Sequence, residues 1–183
     1  MNEIILPIQN RRSVMAFAPE PIPHEDQIQI FKAGALAPSS YNEQPWIFFV
    51  ANRNKPDAFE RILNTLAPAN QEWAKNAGAL VVSATKKYYA LNGKPNYYAL
   101  HDLGMATALC IVQAQAMGYV SHIMGGFSHE QVKDILELDD SYSIGAVMAL
   151  GKPGNIENLS PQNRQRELSP RVRIEIEKTL KFI

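Results

Sequence analysis

Three short apolar runs constrain this chain most. Trp46 to Ala51 reads WIFFVA, Ala79 to Thr85 reads ALVVSAT and Tyr142 to Leu150 reads YSIGAVMAL. Each is rich in β-branched or aromatic residues and too short for a buried helix, so each is predicted to be a strand. The first, continuous in apolar side chains, is expected to be buried on both faces. Segments with helical spacing separate them. The pattern therefore predicts an α+β chain, or an α/β sandwich built around one sheet.

The intervening segments set the helices. Ile4, Ile5 and Ile8 fit a helix within Asn2 to Asn10, with Pro7 limiting it or confined to its first turn. Pro19, Pro21 and Pro23 make an extended connector to a helix from His24 to Ala37, with Ile28, Phe31 and Ala35 inward; Pro38 cannot continue it. Phe59, Ile62, Leu63 and Leu66 predict a helix ending before Pro68, followed by a short polar helix holding Asn70 and Trp73. Asn92-Gly93 marks a turn. The longest helix is expected from Tyr97 to Met117, capped by Gly118 and apolar nearly all round, hence central and buried. Ser128 and Gln131 form a capping-box signature ahead of Val132, Ile135 and Leu136. The last segment fits two patterns: Val172, Ile174 and Ile176 alternate like a strand, while Val172, Ile176 and Leu180 fit a helix.

At 183 residues one domain, 1–183, is expected, and about 70% of its unfolded surface can be buried without disulfides or metals. Eighteen basic residues balance eighteen acidic ones, which argues against a nucleic-acid surface. The apolar stretch Leu103 to Val120 contains Gln113 and Gln115 and is too polar to span a membrane. Met1 to Leu6 lacks the basic region of an export signal, and lone Cys110 fits a reducing compartment, so a cytoplasmic location is expected.

No familiar catalytic constellation is present. His24, His101, His122 and His129 lack partners at metal-ligand spacing, and one cysteine makes a structural zinc site untenable. Cys110 reads as a packed hydrophobe, and His101-Asp102 as helix packing or interface polarity rather than an acid–base pair. No P-loop, G-x-S-x-G or G-x-G-x-x-G occurs. An enzyme built this way would take its reactive atoms from a cofactor.

Several segments could hold one. Arg11-Arg12-Ser13 offers two guanidinium forks and a hydroxyl suited to phosphate, and Arg164 with Arg166 forms a second basic pair. Taken alone, each pair reads as a solvated surface feature. Ala37 to Trp46 (APSSYNEQPW) joins a helix to a strand with two hydroxyls and two amides; it is a polar cradle or an ordinary turn. Gly125-Gly126 is either a site of close backbone approach or a flexible turn.

Together these segments resemble the flavin-dependent nitroreductase family. The similarity runs in order through Arg11-Arg12-Ser13 with Phe17, Ala37-Pro38-Ser39-Ser40, Asn42, Gln44-Pro45-Trp46, Asn70-Gln71 and His101-Asp102-Leu103-Gly104. Gly125-Gly126-Phe127, Gly151-Lys152-Pro153 and Arg164/Arg166 complete it. The resemblance implies a nitroreductase-like α+β sandwich with a central, mostly antiparallel sheet flanked by helices. It also implies a homodimer with tightly bound FMN at the subunit interface. Arg11, Arg12 and Ser13 would hold the phosphate and ribityl chain, closed by Arg164 and Arg166. Pro38, Ser39, Ser40 and Asn42, in the motif that Gln44 completes, would come from the partner and line the ring and ribityl region. Asn70, with Gln71 beside it, would face the pyrimidine edge, and the Gly126 N–H, beside Gly125, would point at flavin N5.

The implied reaction is ping-pong transfer of hydride from NAD(P)H to a small electron-poor acceptor, a nitroaromatic or quinone, with no catalytic side chain. The scaffold also hosts flavin-fragmenting and dehalogenating members, and a flavin-sequestering protein without turnover is a further alternative. Two departures stand out. Many relatives carry Arg or Lys where this chain has Met15, and some carry Lys where it has Trp73. At an effective dielectric of about 20, a cation ~4 Å from reduced flavin is worth about 4 kcal/mol before desolvation, so this flavin is expected to be harder to reduce. The chain is short, which implies a reduced lid over the acceptor pocket, with Tyr41, Tyr88, Tyr97, Tyr98 and Phe127 as candidates to line it.

Overall fold

A computed structural model describes residues 4–183; the expected helix start at Asn2 lies outside them. Four strands form one antiparallel sheet: β1 (Trp46–Asn52), β2 (Ala79–Lys86), β3 (Val120–Met124) and β4 (Tyr142–Gly151), in the order β1-β2-β4-β3. All three predicted strands are present. Around the sheet lie α1 (Leu6–Asn10), α2 (His24–Gly34), α3 (Pro56–Leu63), α4 (Pro68–Ala74), α5 (Ala99–Ala116), α6 (His129–Ile135), α7 (Pro161–Leu168) and the single turn α8 (Ile176–Thr179).

The period of two along the central strands explains the layering. Leu80 and Val82 of β2, with Val147 and Ala149 of β4, face one core together with Phe59, Ile62, Trp73 and Val132 from α3, α4 and α6. Val81, Met148 and Leu150 face the opposite core with Ile30 of α2 and Cys110, Ile111 and Ala114 of α5. The chain is a sandwich of helices on both sides of one sheet.

Local details follow sequence chemistry. α5 ends where Gly118 takes a left-handed φ of +74°, and Ser128 Oγ accepts the Gln131 N–H at the start of α6. A register shift opens β4 at Gly145, where a side chain would meet Leu103 of α5 at 2.7 Å.

Four expectations need correction. β1 is an edge strand, half-buried along most of its length, because only β2 pairs with it. α2 stops at Gly34 and buries Ile30 and Gly34; Ile28 is 42% exposed and Ala35 faces solvent. α5 packs on α1, α2 and the sheet, yet Leu100, Gly104, Ala108 and Leu109 remain exposed along it, so it is not enclosed all round. The C-terminal segment becomes neither full strand nor full helix: it runs exposed and irregular to α8.

The stretch after α1 is fastened to the end of β4. Ala18 N–H donates to Lys152 O at 3.0 Å and Gly154 N–H to Ala16 O at 2.8 Å. A Cβ on Gly154 would collide with the Phe17 carbonyl and the Ala18 nitrogen, both backbone groups. Gly154→Ala is therefore expected to lower the unfolding free energy by about 1–3 kcal/mol in urea titrations. An unchanged midpoint would show that this fastening yields freely.

Candidate functional site

Two polar assemblies emerge, and both draw on residues singled out in the sequence. The first gathers on β3. Arg11 to Phe17 runs extended beside it: Ser13 bridges Ser121 in parallel register, and Val14 N–H donates to Ser121 O at 3.4 Å. The end of α7 holds the other side. Met15 N–H donates to Glu167 Oε2 at 2.8 Å, and Arg12 Nη2 donates to Glu167 O at 3.1 Å and Ser169 O at 2.6 Å. Arg12 is thus occupied with the backbone that follows α7.

Arg11 differs. Partial burial lowers the pKa of its guanidinium, and repulsion from Arg173 and Arg171 adds to the effect. Arg171 donates to Arg11 O at 2.9 Å. Among the described residues none of these three arginines forms a salt bridge. Three neighbouring cations without a carboxylate make an electrostatic demand that a phosphate would satisfy.

The other end of this assembly is the Gly125-Gly126 turn. Asn70, on α4, donates its side-chain amide to Gly126 O at 3.2 Å, and Ala67 N–H donates to the same oxygen at 2.8 Å. A Cβ on Gly126 would press on Asn70 Nδ2 at 3.2 Å, while a Cβ on Gly125 would meet nothing within 4 Å. The Gly126 N–H and Asn70 Oδ1 have no hydrogen-bond partner among the described residues. They remain as an outward donor and acceptor.

The second assembly is the loop from Pro38 to Gln44. Ser39 Oγ accepts the Gln44 N–H at 3.0 Å, and the Gln44 amide donates to Asn42 O at 3.3 Å and Asn42 Oδ1 at 3.2 Å. Tyr41, Asn42 and Gln44 have φ of +52°, +55° and +49°, an unfavourable region for each. Such backbone costs on the order of 1–3 kcal/mol per residue and persists where surrounding contacts over-determine it. Here the contact is Asp102, 2% exposed in the first turn of α5, whose Oδ2 accepts the Ser40 N–H at 3.0 Å. Ser40 Oγ also lies 2.9 Å from Tyr89 OH.

The structure joins the sequence candidates unevenly. It brings Arg11, Arg12, Ser13 and Met15 to β3 and α7, and Asn70 to Gly126. Among the described residues no hydrogen bond or aromatic contact links the Pro38–Gln44 loop to either group. Gln71 instead caps the preceding turn, donating to Leu66 O at 2.7 Å. Arg164 is paired with Glu157 at 2.7 Å, and among the described residues its buried Nε has no partner; the Arg166 side chain is exposed and forms no hydrogen bond or salt bridge among them. The Met15 and Trp73 side chains, 7% and 3% exposed, lie in the core instead of projecting outward.

Sequence reasoning missed Arg171, Arg173 and the positioning role of Asp102. Only the last had a signal: an acid on the buried face of an apolar helix requires a partner.

His122 supports the first assembly. Its ring lies 4.6 Å from that of Trp73, and its Nδ1 bonds Val14 O at 3.1 Å, which requires a proton on Nδ1. Burial lowers its pKa below the ordinary 6.5, against a smaller opposing effect of the Val14 bond. Among the described residues there is no cluster of His, Cys, Asp and Glu fit for a metal, and no helix long and apolar enough to cross a membrane.

Comparison with known proteins places this geometry. A profile described as the Nitroreductase family matches residues 8–152. An Archaeoglobus fulgidus protein with the provisional name NADH dehydrogenase/NAD(P)H nitroreductase is 29% identical over 160 residues, covering 84% of this chain and 87% of that one. A crystal structure of an oxidoreductase containing FMN superposes with a TM-score of 0.87 at 30% identity, over 93% of this chain and 88% of its own. A nitroreductase family protein from Streptococcus pneumoniae shares the fold at 16% identity, with a TM-score of 0.78 over 97% and 98% of the two chains.

Two predictions follow from the geometry. A histidine whose folded pKa is depressed binds fewer protons than the unfolded chain as pH falls below 6.5, so acidification destabilises the fold. His122→Gln is expected to flatten the decline in melting temperature between pH 7 and pH 5; an unchanged slope would assign it elsewhere. Asp102→Ala removes a buried acceptor and is expected to cost about 1–3 kcal/mol, with the smaller loss for Asp102→Asn, measured by denaturant titration.

Proposed function

Because the chain belongs to the nitroreductase family, we propose that it is an FMN-dependent oxidoreductase carrying hydride from NAD(P)H to an electron-poor aromatic acceptor. The observation that carries this reading is the Asn70–Gly126 pairing, which leaves the Gly126 N–H and the Asn70 amide oxygen without partners among the described residues. That pair matches the mixed polar edge of an isoalloxazine. The residues present fit the group: Gly125 leaves open space, and the lack of a side chain at Gly126 lets Asn70 and Ala67 pack close to the turn. Arg11, Arg171 and Arg173 supply positive charge for the phosphate, with Ser13 two residues along the chain from Arg11.

When bound, FMN would supply the redox chemistry that the side chains of this protein lack. For a nitroarene the net reaction is Ar–NO2 + NAD(P)H + H⁺ → Ar–NO + NAD(P)⁺ + H2O. The Gly126 N–H would help orient the cofactor, and NAD(P)H and acceptor would then use the site in turn, a ping-pong order.

The Pro38–Gln44 loop completes the site from a second copy of the chain. Two observations support a homodimer. Among the described residues no hydrogen bond joins the loop to the Gly126 turn of its own chain, and large apolar side chains stand exposed on α1 (Leu6, Ile8), α5 (Leu100) and the tail (Val172, Ile174). Burial raises the Cys110 thiol to about 12, so it stays an inert thiol and suits a cytoplasmic enzyme.

The test is anaerobic. The protein mixed with FMN and passed through a desalting column should stay yellow, bleach with NADH or NADPH, and recolour when a nitroarene is added. Loss of the flavin on the column would overturn the reading. Retained flavin that neither nucleotide bleaches would instead favour a flavin-holding protein. That second reading draws on Met15 and Trp73, buried apolar groups at two positions where the family resemblance leads one to expect a cation in many or some members. Arg11→Ala is expected to weaken FMN retention about tenfold or more, as loss of a charge-assisted phosphate contact does.

A further inference from the structure

A cavity of about 590 Å³ opens between the Pro38–Gln44 loop and the chain that joins β2 to α5. That connection is a tight hairpin: Tyr88 bridges Pro95, Tyr89 N–H donates to Lys94 O at 2.9 Å, and Gly93 turns with φ +65°. Three aromatic walls face the space. Tyr41 meets Tyr89 edge to face, with centroids 5.8 Å apart, and Tyr97 stands across from them. Tyr41, Tyr97 and Leu91 are 92%, 89% and 92% exposed, so packing within the chain does not explain them. Of the other sequence candidates, Tyr88 and Tyr98 do not line this space, and Phe127 stacks on His129 instead.

Two charges polarise the cavity. Glu43 is anchored, its Oε1 accepting the Ala90 N–H at 2.7 Å. Lys94, which also lines the space, forms no salt bridge among the described residues. Flat walls with one cation suit a planar ring carrying an anionic group, held with that group toward Lys94 and away from Glu43. The wall is shared with the proposed cofactor loop, because Tyr89 OH is bonded to Ser40 Oγ at 2.9 Å. We infer that this tyrosine-lined cavity is the acceptor subsite and that it selects aromatic acceptors bearing a carboxylate. The identification of the ligand as an acceptor rests on the proposed oxidoreductase function; the charge preference rests on the cavity alone.

The two are separable in one set of samples. 4-Nitrobenzoate and 4-nitrobenzamide share ring, nitro group and shape and differ in charge. Each is titrated by calorimetry, at low salt, into the oxidised, FMN-loaded protein, or into the protein as isolated if FMN is not retained. The benzoate is expected to bind about fivefold more tightly, the size of one exposed ion pair. Lys94→Met is expected to abolish that preference, and Tyr97→Ala to weaken both ligands about fivefold while keeping the preference. Equal binding of the two by the unaltered protein, or a preference that survives Lys94→Met, would overturn the inference. Anaerobic bleaching by NAD(P)H, in portions of the same preparations kept free of nitroarene, judges the reaction separately. A preference without bleaching keeps the binding site and discards its role as acceptor subsite, while bleaching without a preference keeps the oxidoreductase reading and overturns the subsite.

Discussion

Much of the first assembly depends on how Arg11 to Ala18 is held. The segment is bonded to β3 through Val14, to Glu167 through Met15, and to the end of β4 through Ala16 and Ala18. These contacts use backbone groups, so they fix position without consuming the Ser13 hydroxyl or the Arg11 guanidinium. Burial of Met15 and Phe17 in the core adds an apolar anchor. A stretch with little regular structure of its own is thereby made rigid enough to present charge. Arg11 then stands against Arg171 and Arg173, an arrangement that an anion would relieve.

The second assembly uses another device. Three residues in a left-handed conformation store strain in the Pro38–Gln44 loop, and the buried Asp102 carboxylate holds the loop in that shape. Its hydroxyls and amides bond largely to one another, so the ordinary-turn reading describes the bonding correctly. What that reading leaves unexplained is the strain, and strained backbone held by a buried charge is commoner at binding sites than in simple connections. The same loop forms a wall of the tyrosine cavity, which places cofactor loop and proposed acceptor subsite on one support.

Much of this was legible in the sequence because local pattern and tertiary context agree. The three apolar runs became strands, since nothing else of that length and composition is stable between helices. The capping of α6 by Ser128 and the end of α5 at Gly118 were local chemistry, readable without a fold. α7 was not legible: PQNRQREL carries no apolar stripe, and only Ser160 and Pro161 mark its start. Two faces of α2 fit helical spacing, and the choice of Ile30 over Ile28 was made by where α5 lies. Strand order made β1 an edge, which no residue within it could announce. In the candidate site, residue chemistry could propose candidates but not their partners. Arg164 went to Glu157 and Gln71 to a turn, while Arg171 and Arg173 took the place beside Arg11.

The central claim is that the Arg11 assembly and the Pro38–Gln44 loop complete one site only across two chains. The most direct measurement is FMN content of mixed dimers, co-expressed with two different tags and purified through both. One chain carries Arg11→Ala and the other a loop block such as Ser39→Trp, each of which loses FMN as a pure dimer. If the site is shared between chains, one of the two sites in the mixed dimer draws both halves intact, and the account predicts one FMN per dimer. If each chain builds its own site, both sites keep a defect, and a flavin-free mixed dimer would contradict the account.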